Sequence, residues 1–210
     1  MNEVDEKTLI QARKIVVQIR GLLVRKGPPI VIALDGGSGA GKSTIASIIA
    51  RKLHTALIPL DDFFSANIPD SQWDEFRVEE KLQNVFDWNR VRQQVLEPLL
   101  KGMPARWYSF DFQSGLRADG TYGMETEPKE RMPAPVILIE GAYSSSPRLA
   151  DLVDFAVLVD VPMEERYARL AAREDPDFLK TWHRRWDEVE AYYFEHVRPR
   201  SSFDLIVELK

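Results

Sequence analysis

The residues best equipped for chemistry begin with Gly36, Gly37, Ser38, Gly39, Ala40, Gly41, Lys42, Ser43 and Thr44, a run that satisfies G-x-x-x-x-G-K-[ST]. Glycines at this spacing let successive backbone N–H groups face one anion, and the lysine that follows reaches the β- and γ-phosphates of a nucleotide. The Ser43 hydroxyl is then placed to hold Mg²⁺, so the run implies ATP with Mg²⁺. Asp61-Asp62-Phe63-Phe64 supplies two carboxylates, one of which could take up a proton from an attacking hydroxyl. Glu140 closes the apolar run Val136-Ile137-Leu138-Ile139, at a position suited to the metal or its water. Arg166, Arg169 and Arg173 recur at i, i+3 and i+7 and so share one helix face.

These groups work only if strands and helices bring them together, and the chain carries the pattern for it. Short apolar, largely β-branched runs at 30–34, 56–60, 136–139, 155–161 and 205–207 alternate with helical patterns at 43–53, 88–101, 163–173 and 177–196. That predicts an α/β fold, a doubly wound parallel sheet of about five strands with helices on both faces. The phosphate loop, the Asp pair and Glu140 all follow such strands, where ligands gather in sheets of this type. An amphipathic helix over 3–26, ended by Gly27-Pro28-Pro29, is predicted to pack on the sheet. The stretch 65–135 breaks the alternation. Rich in aromatic and charged residues and punctuated by Gly102, Pro104, Gly115, Gly120, Gly123, Pro128 and Pro133, it reads as a substrate-side insertion within a single domain spanning 1–210.

Composition narrows the partners. A chain of 210 residues with 44% hydrophobic and 29% charged residues is globular, and a net charge of −5 with no long basic run argues against nucleic acid. There is no cysteine, hence no disulfide, thiolate metal site or Cys nucleophile. The N-terminus, with Glu3, Asp5, Glu6 and Lys7, resembles neither a signal peptide nor a membrane span, which points to the cytoplasm. The expected partner is a small hydroxyl-bearing molecule, and homo-oligomerisation stays open.

Taken in order, the glycine loop, Asp61-Asp62-Phe63-Phe64, Phe86-Asp87, Phe110-Asp111-Phe112 and Ile139-Glu140-Gly141 resemble the uridine kinase group of P-loop kinases, related to phosphoribulokinase, bacterial pantothenate kinase and nicotinamide riboside kinase. The resemblance runs from Ile30 onward and implies a P-loop NTPase-type fold with a helical lid over 163–197. It assigns Asp61 as the catalytic base, with Asp62 on a variable position. It also gives Asp87 to sugar hydroxyls, Phe110 to the substrate pocket and Glu140 to Mg²⁺ beside Ser43. Arg169 and Arg173 become lid arginines that neutralise charge on the transferring group, Arg169 also reaching the substrate. Two departures stand out. Gly115 replaces the base-contacting His of the nucleoside kinases, and Asp175-Pro176-Asp177 replaces further lid arginines, for which Arg184 and Arg185 are the available substitutes.

Trp182, Trp186 and Tyr193 form a helical stripe read as packing, and His54, His183 and His196 have no metal-ligand spacing. The competing readings are an ATP-binding regulatory module that phosphorylates nothing, a pantothenate- or glycerate-type kinase on the same fold, and a nucleotide hydrolase or switch. The first has no need of a positioned base. The last lacks the guanine-reading N-K-x-D.

Overall fold

The computed structural model describes residues 5–209, so the expected helix start at Glu3 lies outside the described residues. Helix α1 (Glu6–Lys26) is capped by Asp5, whose carboxylate accepts the Thr8 N–H at 2.8 Å, and it buries Ala12, Ile15, Val16 and Ile19. Strand β1 (Ile30–Asp35) is buried along its whole length and leads through the glycine loop into α2 (Lys42–Lys52). Strand β2 (Thr55–Pro59) then delivers the Asp pair in a short 3₁₀ turn, Leu60–Phe63.

The expected insertion holds α3 (Val78–Asn84) and a helical run of α4 (Trp88–Arg90), a π-helical stretch (Val91–Leu96) and α5 (Glu97–Leu100). It also contains an antiparallel hairpin, β3 (Ala105–Asp111) with β4 (Gly123–Arg131), whose register slips between Tyr108 and Phe110. The chain returns to the sheet with β5 (Val136–Glu140) and β6 (Phe155–Asp160). Helices α6 (Met163–Ala171) and α7 (Pro176–Tyr192) follow, and β7 (Leu205–Glu208) comes last.

The main sheet has strand order β2-β5-β1-β6-β7, every pair parallel, which is the expected architecture. Each of its faces carries an apolar core. One packs Ile15, Ile19, Ile45 and Ile49 of α1 and α2 against Ile32 and Leu138. The other joins Val31, Ile137 and Ile139 to Phe63 of the 3₁₀ turn, to the insertion through Trp107 and Val95, and to α7 through Trp186 and Val189. With both faces covered, near-continuous apolar strands are what a parallel sheet requires. The carboxyl ends of β1, β2 and β5 stay open between the insertion and the α6–α7 pair.

Candidate active site

At those strand ends lies a cleft of about 690 Å³, lined by the phosphate loop, Asp61, Glu140, Arg169, Arg173 and a set of aromatic rings. The loop is held from behind by Asp35, the last residue of β1 and fully buried. Its carboxylate accepts from the backbone N–H of Gly36 at 2.7 Å, of Tyr143 at 2.9 Å and of Ser145 at 2.9 Å, and from the hydroxyls of Ser145 and Tyr193. One buried charge thus ties the loop after β1 to the loop after β5, and its full set of donors is what makes burial tolerable.

The loop is also gripped from the α6–α7 side. Glu190 accepts the Ser38 N–H at 2.8 Å and pairs with Arg166 at 2.6 Å, while Arg166 donates to the Ser38 carbonyl at 3.1 Å. A Cβ on Gly37 would stand 2.2 Å from the Arg166 guanidinium and 2.5 Å from the Glu190 carboxylate, so only glycine lets this pair close. Gly39, at φ +79°, leaves equally little room beside the Arg166 carbonyl. Lys42 lies back over its own loop, donating to the carbonyls of Gly36 at 2.8 Å and Gly37 at 3.0 Å.

The two aspartates part company. Asp62 is buried and committed, accepting from Trp107 Nε1 at 2.9 Å and Lys129 Nζ at 2.7 Å. Asp61 faces the cleft. Among the described residues none donates a hydrogen bond to its carboxylate, and the protein mass around the cleft floor raises its pKa by desolvation. The charge of Lys42 opposes that rise and the charge of Asp62 adds to it. Glu140 is buried and accepts from the Ser43 hydroxyl at 3.2 Å; burial and the neighbouring Asp61 raise its pKa, against Lys42 and Ser43. Ser43 and Glu140 are hard oxygen donors side by side, which suits Mg²⁺. Among the described residues no three His, Cys, Asp or Glu side chains cluster as a metal cage.

Of the arginine face, Arg169 and Arg173 line the cleft, Arg169 within 3.4 Å of the Gly39 carbonyl and Arg173 beside Glu174. Arg166 serves the loop instead. Arg184 and Arg185 do not line the cleft. They pair with Asp74, Arg185 also with Asp70, tethering α7 to the insertion. Asp87 and Phe110 lie outside the cleft lining. Asp87 caps a helical turn by accepting the Arg90 N–H at 3.1 Å, and Phe110 is buried against Phe64 and Phe112 with ring centroids 5.2 and 4.5 Å away. Phe112 faces the cleft in its place. Gly115 is exposed, at φ +67°.

The residues that sequence reasoning missed are Asp35, Glu190 and the cleft-facing rings of α7. Asp35 carried a readable signal, a carboxylate ending an apolar strand beside the loop. Glu190 carried none, being one of several acids on an amphipathic helix. Trp182 and Trp186 do pack as expected, yet both also line the cleft.

A parallel sheet, a phosphate loop at the end of β1 and an unbonded carboxylate at the end of β2 define a nucleotide-binding phosphotransferase of the P-loop class. The chain belongs to the Phosphoribulokinase / Uridine kinase family, whose model matches residues 31–177. It is a kinase, with a small-molecule hydroxyl as acceptor. It is 30% identical over 175 residues to a uridine kinase of Clostridium perfringens, covering 81% of this chain and 78% of that protein. Among solved structures, a possible uridine kinase from Bacillus stearothermophilus superposes with TM-score 0.68 at 16% identity, over 93% of this chain and 96% of that one. D-glycerate 3-kinase from Cryptococcus neoformans var. grubii superposes with TM-score 0.55 at 15% identity, over 91% and 88%. Among the described residues no helix is long and apolar enough to cross a membrane.

Proposed function

We propose that the chain transfers the terminal phosphoryl group of ATP, with Mg²⁺, to the hydroxyl of a small uncharged alcohol of nucleoside size, with Asp61 as the base. The observation that carries this is the position of Asp61: it lines the same cleft as Lys42 and the phosphate loop, and among the described residues nothing donates a hydrogen bond to its carboxylate. As the acceptor oxygen attacks phosphorus, Asp61 takes its proton. Lys42 swings from the Gly36 and Gly37 carbonyls onto the β- and γ-phosphates, and Arg169 and Arg173 neutralise the charge that builds on the transferring group. Gly36 to Thr44 cradle the phosphates by their backbone N–H groups and the N-terminus of α2. Mg²⁺, held by Ser43 and Glu140, would supply charge neutralisation between the phosphate oxygens.

Uridine kinase is the name of the relatives, and uridine is the first acceptor to try. A binding module without turnover needs no base, and nothing in its function would keep an unpaired carboxylate facing the phosphate loop. The test is ADP release by the purified protein with ATP and Mg²⁺ against uridine, other nucleosides, sugars and hydroxy acids. No acceptor-dependent release above the water background, with every acceptor, would sink the reading.

A further inference from the structure

Strand β5 lies between β2 and β1 in the sheet, so the loop leaving its end passes between Asp61, after β2, and the phosphate loop, after β1. Tyr143 stands in that loop and lines the cleft together with Ser38, Lys42, Asp61 and Glu140. Its backbone is unusual. At φ +67° it is the one non-glycine residue with positive φ among the described residues, a left-handed conformation that a bulky side chain avoids unless its surroundings enforce it. Here they do. The buried Asp35 holds its N–H at 2.9 Å, and its ring packs edge-on against Tyr193, with centroids 4.9 Å apart, and against Phe86 at 6.4 Å.

The hydroxyl on that ring is left over. Tyr193 spends its own hydroxyl on Asp35 at 2.7 Å, whereas among the described residues nothing bonds the hydroxyl of Tyr143, a buried residue. Burial, joined by the charges of Glu190, Asp35 and Asp187 against that of Arg166, pushes its pKa well above the ordinary phenol range, so it stays a neutral donor. None of those acids is free to accept from it. Glu190 is taken by Arg166 and the Ser38 N–H, Asp35 by five donors, and Asp187 by the Tyr167 hydroxyl at 2.6 Å and His183 at 3.0 Å. A glycine would make this turn without strain; the tyrosine adds a ring that packs and a hydroxyl that the protein does not use. The group that comes to rest between the phosphate loop and the base is the terminal phosphate of the nucleotide.

Resting on the phosphate loop as the ATP site and on Asp61 as base, we propose that Tyr143 is a further catalytic residue, its hydroxyl donating a hydrogen bond to an oxygen of the γ-phosphoryl group. No proton changes hands. The phenol stays protonated, and its bond strengthens as charge gathers on the transferring oxygens, adding a neutral donor to the cations Lys42, Arg169 and Arg173.

The test is Tyr143→Phe in the full chain. Phenylalanine keeps the ring contacts and meets the same backbone conformation, so only the hydroxyl changes. Calorimetry with Mg²⁺ present compares ADP with the ATP analogue that carries nitrogen in place of the β,γ-bridging oxygen. ADP should bind variant and wild type within about twofold, while the analogue should bind the variant about tenfold more weakly, one hydrogen bond to a charged group being lost. With any acceptor of the panel that turns over, kcat should fall by about tenfold or more while acceptor KM stays within about twofold. Equal affinity of wild type and variant for the analogue would overturn the inference. So would a parallel loss for both nucleotides, which marks a change in loop shape. A lower melting temperature of the ligand-free variant would overturn it as well, by showing that the hydroxyl has a partner within the protein. If the wild type binds neither nucleotide, the ATP site itself fails and the inference falls with it; a variant that binds as the wild type does sinks the inference alone.

Discussion

The two ends of the cleft are held by opposite means. At the phosphate end the backbone is fixed by charge: Asp35 gathers four hydrogen bonds from the loops after β1 and β5 and a fifth from the Tyr193 hydroxyl beyond α7, and the Arg166–Glu190 pair closes on Ser38 from outside. At the other end, beside Phe64, rings lean on rings, with Phe110 buried behind Phe64 and Phe112. Hydrogen bonds to a buried carboxylate are directional and unforgiving, whereas ring packing tolerates small shifts. Phosphoryl transfer demands the former, since donors must meet developing charge to within a few tenths of an ångström.

Substitutions at the phosphate end should therefore act on turnover and stability far more than those at the ring wall. The largest effect belongs to Lys42→Ala, which removes the charge proposed to meet the β- and γ-phosphates; kcat should fall by about a thousandfold or more, with the fold retained by circular dichroism. Near-normal turnover would undo the assignment of the loop. Asp61→Asn comes next, with a fall in kcat of roughly a hundred- to a thousandfold while nucleotide binding persists in calorimetry. If Asp62→Asn were the crippling change instead, the register within the pair would be wrong.

Asp61→Asn also makes a statement about stability. The protein mass around the cleft floor raises the folded-state pKa above the ordinary 3.8, modestly in its effect on stability because the side chain is open to solvent, so the unfolded chain ionises first as pH rises. The stability that protonated Asp61 contributes is complete below its unfolded pKa and is lost as pH climbs through the folded one. In chelator and without nucleotide, the Asn variant should thus melt higher than wild type at neutral pH, the gap closing as pH falls toward 4. A lower melting temperature for the variant at neutral pH would show that Lys42 compensates the charge in full. Asp35→Asn should act on the fold instead. It sets an amide N–H₂ or a weaker acceptor against donors now satisfied by a carboxylate, costing about 3 kcal/mol in urea unfolding. A loss below measurement error would mean that the Tyr193 and Ser145 hydroxyls reorient to repair it.

The phosphate end was the more legible of the two in the sequence, and the reason is physical. Strand β1, the glycines and Lys42 are local signals, each residue type dictated by its own backbone or ligand. The same holds for β5, whose run of Val136 to Ile139 is apolar because both faces of the sheet are covered. Asp35 is legible as a carboxylate ending an apolar strand, but not its role, because its partners Ser145 and Tyr193 lie far along the chain; Glu190 is invisible for the same reason, its partner Ser38 lying 152 residues away. The β3–β4 hairpin escaped for a different reason. Strand β3 does alternate, with Ala105, Trp107 and Ser109 buried between exposed Arg106 and Tyr108, but β4 reads Glu125-Thr126-Glu127-Pro128 and has no apolar face to betray it. The resemblance gives the pocket position to Phe110, and the sequence does not tell which ring the register slip between Tyr108 and Phe110 leaves buried and which, Phe112, it turns toward the cleft.

The smallest effect is expected at Glu190, and there two forces oppose each other. Its carboxylate stands on a loop that binds an anion, so deleting it removes a repulsion from ATP; it also anchors the first turn of that loop, so deleting it loosens the site. The repulsion is largely cancelled already, because Arg166 lies 2.6 Å away and both side chains are mostly buried, 13% and 15% exposed. What remains is the anchor: Ser38 N–H loses its acceptor, and Arg166, still bonded to the Ser38 carbonyl, loses the partner that holds it there. One charge-assisted bond of this kind is worth about 1.5 kcal/mol, so Glu190→Ala should raise ATP KM by about tenfold and leave acceptor KM in place. Glu190→Gln keeps an oxygen for the Ser38 N–H and should recover most of the loss, which a merely space-filling role would not predict. Steady-state kinetics in both substrates decide it. Tighter ATP binding in Glu190→Ala would show that the charge outweighs the anchor, and the loop would then be held by Asp35 alone.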